Sequence, residues 1–475
     1  MKFPKIIQGG MGAGVSDWRL ARAVATAGQL GVVSGTALDL ILTRRLQEGD
    51  PQGHVRRALA AFPEPGIVGR ILDRWFVEDG KDEAVPYAGK PLVGEAPGAR
   101  LEELLVVANF VEVWLAKEGH PGMVGINYLH KIQTPTLPSL FGAMLAGVNV
   151  VLVGAGIPLE IPSILDGLAA GEPVEMALQV TGATREHKLR FDPARMFPDG
   201  APELKRPAFF PIVSSVALAT VLVRKAGGGV DGLVIEDPTA GGHNAPPRGA
   251  LKLDDHGEPV YGTRDAVDPA AIAALGLPFW LAGSNGSPEK LREAPGVGAA
   301  GVQVGTVFAF CEESGLREDL KQAAIQAVIS GDVTVFRDPV ASPTGFPFQV
   351  LALPETLSKE EVYQCRERQC DLGYLREAYE REDGTVGWRC PAEDPATFVE
   401  AGGTLEQTEG RKCLCNSLMA NLGLGQWREG KVEPPLLTCG KDLSGVRRIL
   451  APGRTSYTAR EVLEFLLGEP VPDLA

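Results

Sequence analysis

The chain has 475 residues, 44% of them hydrophobic and 22% charged, which is enough apolar material for a large core and excludes a disordered or low-complexity polymer. Its 58 glycines and 37 prolines exclude a helical bundle, and no collagen period is present. The formal charge of -14, with no block of five basic residues, argues against nucleic acid as a partner, because neutralising a phosphate backbone needs clustered cations.

In chain order, short runs rich in Val, Ile and Leu alternate with helical segments as far as Phe310. Eight runs predict buried strands: 5–8, 30–34, 123–127, 149–153, 210–214, 232–236, 278–282 and 301–305. Eight parallel strands interleaved with helices predict a (β/α)8 TIM barrel over residues 1–340. A ninth run, 174–180, alternates apolar with polar residues, whereas a strand covered by helices on both faces should be apolar on both. It is expected, with 187–191, to form an antiparallel insertion at about 172–207. A second insertion, at about 44–122, reads as a helix from His54, a Pro/Gly-rich stretch from Pro63 to Arg100 with hairpin character, and a helix over 101–118. Such excursions commonly form lids or oligomer contacts, so a homo-oligomer is left open.

The uncharged stretch 132–159 is long enough to raise a membrane question, but its prolines and glycines favour a helix, a turn and a strand, and no membrane association is expected. The first residues lead directly into an apolar strand without a signal-peptide pattern, so a cytoplasmic location is expected. A helix over 316–330 precedes a turn-rich stretch at 337–347. Residues 341–475 read as a mainly helical, cysteine-containing extension, opening with a capping box at Ser358 and Glu361.

The densest chemical signal is Gly232-Leu-Val-Ile-Glu-Asp-Pro-Thr-Ala-Gly-Gly-His243. The strand ends at Glu236, and the loop beyond it lies on the face where such barrels keep their active sites. Gly241 and Gly242 let backbone amides approach an anion, and His243 supplies a group able to exchange a proton near neutrality. Gly283, in Leu281-Ala-Gly-Ser-Asn-Gly, and the run Gln303-Val304-Gly305-Thr306 put glycine-rich turns after the last two strands, the phosphate-binding position of barrels. Gly9, Gly10 and Met11 end the first strand and Asn127 the third, so a flat ring lying over Gly10 and Met11 could be hydrogen-bonded by Asn127. Arg248, beyond two prolines, could meet an anionic substrate, or be an ordinary surface charge.

Together Ile6-Ile-Gln-Gly-Gly-Met-Gly12, Gly125-Ile-Asn127, Ala240-Gly-Gly-His243 and Gly301-Val-Gln-Val-Gly-Thr306 resemble the FMN-dependent nitronate monooxygenase family, formerly 2-nitropropane dioxygenases. Val151-Leu-Val-Gly-Ala-Gly-Ile-Pro158 and Pro211-Ile-Val-Ser214-Ser-Val-Ala-Leu-Ala219 are similar to the flavin-type enoyl-acyl carrier protein reductases of the same barrel. The resemblance covers about residues 3–315. It implies a flavoprotein oxidoreductase that binds FMN through Gly9, Gly10, Met11, Asn127, Ser214, Glu236, Gly241, Gly242, Gly283, Gln303, Val304, Gly305 and Thr306, with His243 catalytic and a small-molecule substrate. The activity it implies is oxidation of alkyl nitronates with O2. The alternatives are an enoyl-thioester or quinone reductase using NAD(P)H as co-substrate, and an idle flavin-binding assembly subunit. The loop after His243 departs from the family, continuing Asn-Ala-Pro-Pro-Arg248 where a small residue and glycine are usual, which puts the substrate in question more than the cofactor.

Seven cysteines in a chain without secretion signals make a disulfide framework the poorer explanation. Cys370, Cys390, Cys413 and Cys415 are the candidate ligands for a zinc or iron–sulfur site, yet their spacing is no recognised knuckle and no metal is assigned. Cys365 and Cys370 would lie about 140° apart on a continuous helix, so they could share a metal only if that helix ended near Gly373.

Overall fold

The computed structural model describes residues 3–197, 200–450 and 453–472. Eight strands, β1 (Ile6–Gln8), β2 (Gly31–Ser34), β3 (Val124–Leu129), β4 (Val150–Gly154), β5 (Ala208–Val213), β6 (Leu233–Glu236), β7 (Phe279–Ala282) and β8 (Gly301–Val304), form one parallel sheet in sequential order. All eight coincide with the runs expected to be buried strands. The sheet closes on itself: β8 pairs with β1, Ile7 bridges Leu30 in parallel, and the Gln8 amide donates to the Leu30 carbonyl at 2.9 Å. The protein is a (β/α)8 barrel.

The lumen is filled rather than open. Ile7, Leu30, Val32, Val150, Leu152, Phe210, Val234 and Trp280 pack there as a separate apolar cluster. Phe3 stoppers the N-terminal end, edge-on to Phe210 at 5.3 Å and to Trp280 at 5.6 Å. That leaves the C-terminal strand ends as the end that can hold a ligand.

The hairpin expected at 172–207 is present, with Val174–Leu178 antiparallel to His187–Phe191 and alternate residues buried. In the first insertion, helices run over His54–Ala60 and Ala99–Lys117, but the expected hairpin character of 63–100 is not borne out. Residues Pro65–Trp75 form a helix, because Pro65 suits the first turn and Ile67, Ile71 and Trp75, spaced four apart, bury one face. The stretch 132–159 resolves into helix Thr136–Leu145 and β4, and no helix among the described residues is long and apolar enough to cross a membrane.

The extension carries short helices over Glu360–Gln364, Pro395–Glu400, Leu414–Ala420, Ser444–Ile449 and Ala459–Leu467, together with short hairpins. The strands Val335–Asp338 and Phe348–Leu351 pair across the position expected to separate barrel from extension. Ser358 caps no helix: its hydroxyl bonds the Leu353 backbone, and a complete capping box stands instead at Thr458 and Glu461. The extension is bound to both insertions. Val180–Thr181 pairs with Ala378–Tyr379, and the Tyr374 hydroxyl donates at 2.7 Å to Asp39, which also forms a buried ion pair with Lys90.

Candidate active site

A cavity of about 240 Å³ opens at the C-terminal end of the barrel. Its floor is built from strand ends: Gly9, Gly10 and Met11 after β1, Asn127 on β3, Glu236 on β6, Gly283 after β7, and Gln303 to Thr306 at β8. Gly10 is required by its neighbours, since a Cβ there would sit 2.5 Å from Asn127 Cβ. Asn127 Nδ2 donates to the Gly10 carbonyl at 3.3 Å. Its Oδ1 is buried without a partner in the chain, as is Gln303 Oε1. Two buried acceptors without donors, both on one cavity floor, call for a ligand that brings N–H or O–H groups.

Beside them lies a backbone-lined recess. Gly283 has φ +89°, and a Cβ at Gly241 would come within 2.8 Å of the Cys439 backbone. Here the extension closes down on the barrel: the Gly440 amide donates to Thr306 Oγ1 at 2.8 Å, and the Gly242 amide to Thr438 Oγ1 at 2.8 Å.

His243 is held in place by the extension. It bridges Phe348 in an antiparallel register, with Gln349 N donating to Gly242 O and Asn244 N to Pro347 O, each at 2.9 Å. Its ring packs edge-on to Phe348 at 4.9 Å, and Nε2 lies 2.7 Å from the hydroxyl of the fully buried Ser342. Ser342 Oγ is in turn 2.9 Å from Thr344 Oγ1. Burial, and then the nearby Lys131 ammonium, push the imidazole pKa down to about 3, so the ring is neutral at physiological pH. The Lys131 ammonium, set 3.5 Å over the Phe346 ring, is itself pushed down to about 8 by burial. Glu236 moves the other way: burial and the adjacent Asp237 charge push its carboxyl up to about 8, so it is protonated at neutrality and can donate a hydrogen bond.

Twelve of the thirteen residues expected at a cofactor line this cavity, together with His243. Ser214 does not. It shares a second, small recess with Arg248, Asn244 and the other side of Glu236. Arg248 is exposed there, its amide bonded to Asp265 at 2.9 Å. Cys415 lies on the cavity wall, whereas Cys370, Cys390 and Cys413 do not. Sequence reasoning missed the entire roof: Phe348, Tyr374, Leu375, Leu414, Leu418, Met419, Thr438 and Gly440. It missed Ser342 as well. All of these stand in the extension, which the sequence marked only as a mainly helical, cysteine-containing region.

Residues 203–344 match the family model for nitronate monooxygenase. In this segment the chain is similar to the nitronate monooxygenase family. The segment runs from just before β5, through the His243 loop, to Thr344. A probable nitronate monooxygenase of Bacillus subtilis is 36% identical over 99 residues, which is 21% of this chain and 27% of that protein. One from Staphylococcus haemolyticus is 33% identical over 100 residues, with the same coverage. The chain thus spans about a quarter of the length of these relatives. A Mycobacterium tuberculosis octahydro-indene-carboxyl-CoA dehydrogenase is 28% identical over 140 residues, 30% of this chain and 35% of that protein. Among solved structures, FabK from Thermotoga maritima aligns over 98% of this chain and 92% of its own at 16% identity and TM-score 0.49. A nitroalkane oxidase from Streptomyces ansochromogenes aligns over 98% and 96% at 15% identity and TM-score 0.49.

Proposed function

We propose that the protein is an FMN-dependent oxidoreductase of the nitronate monooxygenase type, acting on alkyl nitronates with O2. The floor fits the cofactor on two counts. Asn127 Oδ1 and Gln303 Oε1 offer unpartnered acceptors to the ring N–H of a flavin, and Gly241, Gly283 and Gly305 leave a backbone recess for its phosphate. When bound, the flavin supplies the electron acceptor.

The observation that carries the choice of substrate is the neutral state of His243. An imidazole with a pKa of about 3 is too weak a base to take a proton from a carbon acid, but a nitronate is already deprotonated. His243 therefore orients the substrate through hydrogen bonding, its Nε2 tied to Ser342. Protonated Glu236 adds a donor on the floor, and the apolar roof of Leu375, Leu414, Leu418 and Met419 excludes water. The same roof favours a second reading, an enoyl-thioester or quinone reductase using NAD(P)H, because it gives an acyl chain or an apolar ring an apolar surface. Oxygen uptake by the purified flavoprotein with an alkyl nitronate and no reduced nicotinamide is the expected result. Failure of that assay, together with fast anaerobic bleaching of the flavin by NADH or NADPH, would establish the reductase instead.

A further inference from the structure

Glu236, at the end of β6, lines both the cavity and the small recess beside it, and no other described residue does. The recess has a volume of about 20 Å³, which is room for about one water molecule. Its lining is polar. Asn244 is fixed there through Nδ2, which donates to the Ala240 carbonyl at 3.0 Å, while its Oδ1 is buried without a partner in the chain. Ser214 and Tyr261 add hydroxyls, and Asp237 and Arg248 are exposed, so the recess reaches solvent. A buried acceptor without a donor, in a polar hollow of this size, calls for a water.

The cavity side needs a proton donor. Reduction of a flavin on the floor by an electron pair takes up a proton, and the apolar roof keeps bulk water away. His243, with a pKa of about 3, has no proton to give at neutrality. The Cys415 and Cys439 thiols and the Tyr374 hydroxyl are all pushed up by burial, Cys439 to about 12, and hold their protons too tightly. Glu236, pushed up to about 8 by burial and by the Asp237 charge, carries a proton at neutrality and is matched to giving it up there. Besides Asp237, the charged and titratable groups around it are His243 on the cavity and Arg248, Tyr261 and Asp265 on the recess.

We propose that Glu236 is a proton port, its carboxyl passing protons from water in the recess to an acceptor in the cavity. The O–H bond of the carboxyl breaks toward the cavity, and the carboxylate takes a proton back from the recess water. That water is reprotonated from solvent past Asp237 and Arg248. No electron moves through Glu236. Only the identity of the acceptor rests on the flavin reading given above.

The test sets the full chain with bound FMN against Glu236→Gln, which keeps a hydrogen-bond donor but cannot hand on a proton. With whichever co-substrate turns over, an alkyl nitronate with O2 or NADH, wild-type kcat should fall as pH rises through about 8. In Glu236→Gln kcat should be lower by about 100-fold or more and lack that limb, at unchanged flavin content. A purely structural role predicts wild-type turnover in Glu236→Gln, and that result would overturn the proposal. Infrared spectra need no turnover. The wild type should show a carboxylic C=O band, absent from Glu236→Gln, that vanishes through about pH 8 and shifts on exchange into D2O. Ser214→Leu, or Ser214→Val where leucine does not fold, fills the recess without touching the cavity lining and should slow that exchange several-fold. Absence of the band, or exchange as fast with the recess filled as in the wild type, would overturn the proposal. Failure of both co-substrates, with the band and its slowed exchange in place, would sink the choice of substrate and establish the port on its own.

Discussion

The floor and the roof of the cavity are built on different principles. The floor is backbone and small residues at barrel strand ends: glycines, of which Gly10, Gly241 and Gly283 leave no room for a Cβ, and two amide side chains with unfilled acceptors. The roof is side chains from an extension that has no barrel symmetry, with Phe348, Tyr374, Leu414 and Met419 over the cavity and Ser342 behind the histidine. A floor of this kind fixes where a cofactor lies, because a backbone recess tolerates little variation. A roof of side chains can be changed residue by residue without disturbing such a recess.

The sharpest way to break that contrast is on the floor. In Gly10→Val the new Cβ would meet Asn127 Cβ at 2.5 Å and the Val32 side chain at 3.2 Å, and the branched carbons would project further into the space above Asn127. Because Val32 belongs to the lumen cluster, the strain reaches the barrel core, so folding is checked by circular dichroism, and the folded variant is expected to carry less than about a tenth of the wild-type flavin. The ratio of flavin to protein absorbance measures this. Full flavin occupancy would mean that the ring does not lie over Gly10.

On the roof the effect should be smaller and of another kind. Ser342→Ala removes the partner 2.7 Å from His243 Nε2 and touches nothing on the floor. Flavin content should be unchanged, while kcat falls about 10- to 100-fold from loss of ring orientation, within the range of a positioned acid–base or hydrogen-bonding group. Because Ser342 supports the ring rather than touching substrate, Ser342→Thr should recover most of the loss. A fall in flavin content equal to that of the floor variant would erase the distinction between the two regions.

The same contrast explains what could be read from the sequence. Every barrel strand was legible because a strand covered on both faces must be a continuous apolar run, and Val150–Gly154 or Leu233–Glu236 is such a run. The floor was legible because close approach demands glycine at fixed points, and His243 because it follows such a pair. Ser342 was not, since a serine in a turn-rich stretch has many uses and only the pairing of residues 347–349 with 242–244 makes it a histidine partner. Gly440 was not, since its meaning is a contact with Thr306 across 134 residues. The helix at Pro65–Trp75 was misread because the Pro/Gly content of its neighbourhood outweighed a spacing of four between Ile67, Ile71 and Trp75.

A third expected effect lies again on the floor and is read through pH. Glu236 has a folded value of about 8 against 4.5 as its ordinary value, burial being the larger cause. Below about pH 4.5 the carboxyl is protonated whether the chain is folded or not, so it costs nothing. As pH rises from there to about 8, the unfolded chain releases the proton and the folded chain keeps it, so stability drains away at no more than about 1.4 kcal/mol per pH unit, and the loss levels off above the folded value. Glu236→Gln keeps a donor in place and removes the titration. Its midpoint of thermal unfolding should match that of the wild type near pH 4.5 and exceed it by a growing margin up to pH 8, while flavin stays bound across the range. Wild type and variant following one curve from pH 5 to 8 would mean that Glu236 is ionised in the folded protein. The floor would then present a negative charge to its ligand, and the hydrogen-bond donor assigned to it would have to come from the roof.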